Sequence, residues 1–592
     1  MYLLPIITVF YLLIIVSSGL LPIPPIGPIV KVSSGSLQGN VLLNDCQEPY
    51  FGFHGIPYAK PPINTLRFKS PQPPNDWSGI RMANLQGNEC VQRSLFTNSI
   101  IGNEDCLYAN VFTKHLPNDT NTSLKPVLVF IHGGGFGSGS SDNKQYGSIY
   151  LMCEDIVLVT FNYRLNIFGF LSFDDPSVNV PGNAGLKDQV QLLRWVQENI
   201  KQFSGDPNKV TIFGQSAGAA SVNLLMLSPL AKGLFHRAIS NSGTALQPFV
   251  FTPRRYRELA RLLKYNGDIS NQKQIFEFFM KFDAATLLKA QKRLRTTFLP
   301  YLGDRSEMVV TVENEIGNAD PFITSMPEKI IANKQYNDVP YLLGFNSEEG
   351  AFFLKWDTNV HYNFSDEQDT IPRYLRIEKN TPKAFAFGKK IKEFYYGNQM
   401  PSYNNLMSYY NMMTDSIYSH KISEVARTMA MNSKSPIYFY EFSYKTQLNW
   451  ASRYFARTPQ PATSHCDDLG YLFFNILNIL PINARSDRNS GYLFFNILNV
   501  LPVSPNSDAG IGRHRMIKFW TNFAKYGDPN SKTNDPLLNV TWLPINKEHF
   551  YYLNIDKDMS LRENPIQNRL LFWDNIEQCA ATTQWRECLQ KI

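Results

Sequence analysis

The chain reads as short apolar runs separated by stretches with a helical rhythm. Val127-Leu128-Val129-Phe130-Ile131 is one such run, stopped by glycines. Ile156 to Phe161, Val210-Thr211-Ile212-Phe213 and Ala238-Ile239-Ser240 follow, then Tyr341-Leu342-Leu343-Gly344 and Ile437-Tyr438-Phe439-Tyr440. Apolar at consecutive positions, these runs predict strands buried on both faces. Between them, Asp188 to Phe203 places Val190, Leu193, Val196 and Ile200 at helical spacing. Alternating strands and helices predict an α/β fold around a mainly parallel sheet. The Tyr-, Phe- and Met-rich stretch from about 250 to 430 predicts helical insertions over that sheet. No Gly/Ser or Pro linker cuts the chain, so residues 20–592 read as one domain.

The N-terminus follows a different pattern. Leu3 to Val16 is almost wholly apolar and is followed by Ser17-Ser18-Gly19. That predicts a signal peptide over residues 1–19 and a secreted protein without a stable membrane anchor. Asn118, Asn121, Asn363 and Asn539 each begin a glycosylation sequon, in keeping with that route. Of the seven cysteines, Cys90 and Cys106 bracket a short polar loop and make a good pair. Cys579 and Cys588 can close a C-terminal loop; Cys46, Cys153 and Cys466 are left over, with Cys153 read as a buried thiol. The net charge of +7 is small for 592 residues, and the basic residues are scattered, which argues against a nucleic-acid surface.

One segment repeats. Gly470 to Asn478 recurs unchanged as Gly491 to Asn499, and the similarity extends over 470–511. A single tandem copy is not a solenoid and reads as a duplicated stretch.

The candidate chemistry sits at the ends of the predicted strands. Gly214-Gln215-Ser216-Ala217-Gly218 lies between the strand Val210 to Phe213 and the helix-forming run Ala219 to Met226. A serine in a strand–turn–helix elbow is lifted above the sheet, and the turn is so tight that small residues must flank it. Ser216 is therefore the candidate nucleophile. His132-Gly133-Gly134-Gly135-Phe136 follows the strand Val127 to Ile131. A glycine run there presents backbone N–H groups that can hold a developing oxyanion. A serine needs a base, and the base an orienting acid, in the order Ser, acid, His for this kind of fold. Glu349, just after the strand Tyr341 to Gly344, is the candidate acid, with Glu348 as the alternative. His361, His420, His465, His514 and His549 follow; His465, in a loop after the last strongly apolar strand, is the choice. No metal or cofactor is called for by this chemistry.

At these residues the sequence resembles the type-B carboxylesterase and cholinesterase family, especially insect carboxylesterases. The resemblance extends through Phe53 to Ala59, Leu66-Arg67-Phe68, Glu104 to Tyr108, Asn183 to Gln189, Ser204 to Pro207 and Phe519 to Pro529. It implies an α/β-hydrolase fold, a large mostly parallel sheet with helices on both faces and helical insertions forming a gorge. It implies Ser216, Glu349 and His465 as the triad, and Gly134, Gly135 and Ala217 as oxyanion donors. It also implies a Cys90–Cys106 disulfide and a small-molecule ester as substrate. The chain departs from the family in three places. It lacks the second disulfide, which implies a looser 250–290 region. It has Ala462 where relatives carry Gly before the histidine, and Gln215 where many carry Glu. The implied activity is hydrolysis of apolar carboxylic esters, such as foreign, odorant or pheromone esters or juvenile hormone. The alternative is a catalytically impaired esterase-like binding or adhesion protein.

Overall fold

The structure is a computed structural model that describes residues 27–95, 97–117, 123–294, 308–315, 317–355, 366–399, 403–456, 462–475 and 503–592. The signal-peptide segment, Asn118, Asn121, Asn363, His361 and most of the tandem repeat lie outside the described residues.

An eleven-stranded sheet organises the molecule. From one edge its strands run Ser560–Glu563, Tyr551–Ile555, Ile437–Phe442, Tyr341–Asn346, Arg237–Asn241 and Gly205–Gln215, and then Lys125–Ile131, Val157–Phe161, Tyr108–Thr113, Pro49–Pro57 and Asn40–Leu43. From Tyr551–Ile555 to Val157–Phe161 every neighbouring pair is parallel. Antiparallel strands close both edges. All six predicted strands are present within this sheet. The edge strands escape prediction, because their sequences mix apolar, polar and turn residues.

Side chains alternate across the sheet, as the pleat requires. Val127, Val129 and Ile131 join one core, while Leu128 and Phe130 join the other. On the first face lie the helices Ala184–Asn199 and Ala217–Leu227, whose Leu186, Val190, Leu193 and Leu224 belong to the same core. On the second lies the helix Asp508–Tyr526, through Phe519, Trp520 and Phe523. The helix predicted over 188–203 begins earlier, at Ala184, and ends at Asn199, where a 3₁₀ turn carries the chain to Phe203.

The insertion between strands is largely helical. Tyr256–Leu262, Gln272–Phe279 and Ala284–Lys292 pack through Tyr256, Leu259, Ile275, Phe279 and Leu287, all buried. Apolar packing thus holds the 250–290 region that lacks the family's second disulfide. The start of the repeat is core as well: Phe473 is buried against Phe130 and Phe213.

Three disulfides are formed, Cys46–Cys153, Cys90–Cys106 and Cys579–Cys588, and Cys466 is free. The reading of Cys46 and Cys153 as unpaired is corrected. They are 107 residues apart in the chain, a separation that hides the pairing from local sequence. Closing so long a loop removes much of the unfolded chain's freedom. Asn539 is exposed. Among the described residues, no helix is long and apolar enough to cross a membrane.

Candidate active site

The serine is set by its own neighbourhood. Strand Gly205–Gln215 lies inside the parallel run and feeds directly into the helix Ala217–Leu227, whose residues are all buried. Ser216 makes the turn with φ 59° and ψ −123°, a conformation costly for any residue with a Cβ. Its N–H donates to the Asn241 carbonyl at 2.9 Å. The flanking glycines are required sterically. A Cβ on Gly218 would lie 2.0 Å from the Ile131 carbonyl oxygen, and one on Gly214 would lie 2.3 Å from that of Gly218.

The glycine loop starts where strand Lys125–Ile131 ends. Gly134 adopts φ 112°, and a Cβ there would fall 2.0 Å from the Ser138 carbonyl oxygen. The Gly134 carbonyl instead accepts from the N–H groups of Gly137 and Ser138. Among the described residues, no hydrogen bond is formed by the N–H groups of Gly134, Gly135 and Ala217. His132 is a wall of this loop: its ring stacks on Tyr163 at 4.4 Å, and burial lowers its pKa to about 4, keeping it neutral.

The two adjacent glutamates divide the remaining work. Glu349, fully buried, opens a 3₁₀ segment just past strand Tyr341–Asn346. Its Oε1 accepts from the Asn346 N–H at 2.7 Å, and its Oε2 lies 2.5 Å from His465 Nδ1. Glu348, the alternative acid, instead holds the histidine loop. Its Oε2 accepts from the Thr463 N–H at 2.6 Å, its Oε1 from Lys445 Nζ at 3.0 Å, and its own N–H donates to the Thr463 carbonyl.

The rest of that loop is held from a distance. Asn346 Nδ2 donates to the Ser464 carbonyl at 2.8 Å. Asp467 accepts from the backbone N–H groups of Ser464, Ala451 and Ser452. Asp468 accepts from Asn241 Nδ2 at 2.6 Å; burial, with the Glu349 charge adding to it, raises its pKa to about 6. The left-handed backbone next to the histidine falls on Cys466, at φ 75°. The motifs assign no role to Asp467 or Asp468; their closeness to His465 in the chain is the one signal that points to them.

His465 is buried, with Tyr418 lying over its ring at 4.4 Å and 28° and Phe352 edge-on at 5.4 Å. With Nδ1–H given to Glu349, Nε2 carries the lone pair. That nitrogen lies 3.2 Å from Gln215 Nε2, whose amide N–H it accepts in this tautomer. Ser216 Oγ makes no hydrogen bond among the described residues. The structure therefore joins Glu349 to His465 and places Gln215, the residue next to Ser216, on the nitrogen that would serve the serine.

Of the other candidate histidines that are described, His514 lies 2.8 Å from Asp535, His549 3.2 Å from Glu563 and His420 3.0 Å from Asp574. His420, Glu424 and Glu577 bring potential ligand atoms within 4.8 Å of one another. Lys421 Nζ already takes both carboxylates, at 2.6 Å and 2.7 Å, so the group is an ion-pair knot between helices His420–Asn432 and Gln567–Ala581.

A serine elbow on a parallel strand, a glycine loop with unengaged N–H groups and a buried carboxylate–imidazole pair define the class of α/β hydrolases. Within that class the chain belongs to the carboxylesterase family, whose model matches residues 26–573. It is 34% identical to juvenile hormone esterase of Tribolium castaneum over 88% of this chain and 87% of that one. It is 35% identical to venom carboxylesterase-6 of Apis mellifera over 93% and 94%, and 31% identical to esterase FE4 of Myzus persicae over 88% and 87%. The crystal structure of juvenile hormone esterase from Manduca sexta, with OTFP covalently attached, superposes with a TM-score of 0.78 at 29% identity, covering 93% of this chain and 99% of that one. The matches run over most of each relative's length, and this chain is a carboxylic ester hydrolase by family.

Proposed function

We propose that this protein is a secreted serine carboxylesterase that cleaves apolar carboxylic esters through an acyl-enzyme. Ser216 is the nucleophile, His465 the base, Glu349 the acid that orients it, and the N–H groups of Gly134, Gly135 and Ala217 the oxyanion donors. The observation that carries this reading is the 2.5 Å contact of Glu349 with His465 Nδ1. It leaves Nε2 as the basic nitrogen, on the side of the ring next to the elbow.

The reaction runs in two halves. His465 Nε2 exchanges its contact with Gln215 for one with Ser216 and takes the Oγ proton as Oγ attacks the ester carbonyl. The negative oxygen is held by the three N–H groups; each such donor is worth roughly 3–4 kcal/mol in the transition state. The carbon–oxygen bond to the alcohol breaks as His465 returns the proton to the leaving oxygen. Water then gives a proton to His465 and attacks the acyl-enzyme, and the carboxylic acid leaves as the proton returns to Ser216 Oγ.

Phe352 and Tyr418 flank His465, and Phe249 and Phe353 lie against Tyr418. The wall that Phe249, Phe352 and Phe353 form around His465 and Tyr418 binds acyl and alcohol groups by burial, at about 0.8 kcal/mol per CH₂. That favours apolar esters. The three disulfides and the exposed sequon at Asn539 support a secretory route. A second reading, an esterase-like binding protein, draws on the Gln215 amide occupying His465 Nε2.

A fluorophosphonate probe separates the two. The wild-type protein labels and Ser216→Ala does not; a wild type that stays unlabelled sinks the hydrolase reading. Turnover of 1-naphthyl acetate, a long-chain acetate and juvenile hormone then ranks the ester classes.

A further inference from the structure

Between helices Leu406–Thr414 and His420–Asn432 the chain forms a π-helical turn, Asp415–Ser419, buried at every residue. π turns are rare and are frequently found at functional sites. An α-helix advances about 100° per residue, so residues three apart share a face. A π turn closes i→i+5 bonds and advances less per residue, which drives such residues apart. Asp415 and Tyr418 are such a pair, and they face different partners.

Asp415 faces the C-terminal helix. It takes two hydrogen bonds of 2.6 Å from Arg569, and others from Tyr395 and from Ser419 within the turn. Tyr418 faces the site, its ring over His465 and its carbonyl accepting from Gln247 Nε2 at 3.2 Å. Thr414, at the entrance to the turn, accepts from the N–H of Gly350, the residue after Glu349. The turn thus meets His465 through Tyr418, and the residue before it meets Gly350, the neighbour of Glu349, while Arg569 pins the turn from behind.

We propose that the π turn Asp415–Ser419 sets the catalytic histidine, with Tyr418 as the positioning residue lying on its imidazole face; this rests on the hydrolase reading above. The ring does two things. It limits His465 to one plane, in which Nδ1 meets Glu349 and Nε2 faces the elbow. It also presents a π face to the imidazolium that forms as Ser216 loses its proton, an interaction stronger at a desolvated site. The first readies His465 for proton transfer and the second strengthens as the imidazolium forms, so both are read in kcat.

The test compares Tyr418→Leu and Tyr418→Phe with wild type on one apolar ester, with thermal melting of each protein. Tyr418→Leu is expected to lower kcat by about ten- to thirty-fold at nearly unchanged KM, the size of a desolvated cation–π contact. Tyr418→Phe, which keeps the ring, is expected to restore most of that loss. Should the leucine variant melt early, Tyr418→Met fills the space with a ringless side chain and carries the same expectation. Wild-type kcat in the ringless variants overturns the proposal, and so does a phenylalanine variant as impaired as they are. A wild type that a fluorophosphonate does not label overturns this proposal together with the hydrolase reading. A labelled wild type with insensitive Tyr418 variants overturns this one alone.

Discussion

The serine elbow and the histidine loop are built in opposite ways. At the elbow, strand, turn and helix follow one another without a break, and the residues that force the turn are Gly214 and Gly218. The closest obstacle to a side chain there, the Ile131 carbonyl, belongs to the neighbouring strand of the same sheet. The histidine loop contains little that dictates its own shape. It is held by Glu348 and Asn346 from one strand end, by backbone donors at Ala451 and Ser452 through Asp467, and by Tyr418 from a helix. On the proposed reading, the nucleophile is made by a local motif and its base is positioned by tertiary structure.

That contrast can be broken most severely at Glu349. Glu349→Gln keeps the shape but can hold His465 in the wrong tautomer, and kcat is expected to fall by about 10⁴-fold with little change in melting temperature. Steady-state kinetics beside a melting curve checks both halves; an equal loss of stability would mean that Glu349 is chiefly structural. On the elbow side the order is reversed. Gly218→Ala forces a methyl against backbone that cannot retreat and is expected to cost about 3 kcal/mol of stability or more. Urea denaturation would show it, and a variant as stable as wild type would mean that the elbow is looser than described.

The anchoring of the loop offers a finer test. Glu348→Ala leaves the buried Thr463 N–H unpaired, a cost of about 1–3 kcal/mol, and should lower kcat by about ten-fold as His465 loses its register. Lys445→Ala removes the outer partner of the same glutamate. Its side chain is 36% exposed, so the change is expected to matter little. Similar losses from both variants would count against Glu348 as the loop's anchor.

The smallest effect concerns the scaffold behind the π turn. Burial pushes the Asp574 carboxyl up, but hydrogen bonds from His420 and Arg427, with the Arg427 charge, hold it down to about 2. Its pKa is depressed on folding. The stability it contributes is therefore present above the ordinary carboxylate range and is lost as pH falls toward 2. Half-exposed as it is, the contribution is on the order of 1 kcal/mol after solvent screening. Melting between pH 5 and pH 2 should decline less steeply in Asp574→Asn than in wild type; parallel curves would remove Asp574 from the account.

Much of the fold and part of the site are legible in the amino-acid sequence. Consecutive apolar residues announce strands that lie under helices on both faces, and the six central strands follow that rule. The G-x-S-x-G motif is legible because its chemistry and its sterics occupy the same few residues. The edge strands carry no such signal: one face or one end of each meets water, and their composition blurs into that of turns. Glu348 and Glu349 are indistinguishable as letters. What separates them is which one the 3₁₀ turn aims at His465 and which it leaves under Thr463. Cys46 and Cys153 are invisible as a pair for a related reason, since nothing near either residue records the other.

The sequence by itself thus determined the alternation of strands and helices, the elbow at Ser216, the glycine loop and the family to which they point. These follow from interactions between residues close in the chain, where side-chain period and backbone sterics act directly. Only the tertiary structure decided which glutamate meets His465, that Gln215 rests on its free nitrogen, that Tyr418 covers its face, and that Cys46 finds Cys153. Those are contacts between segments far apart in sequence. They depend on where the sheet and its helices bring each backbone, and no local pattern encodes that distance.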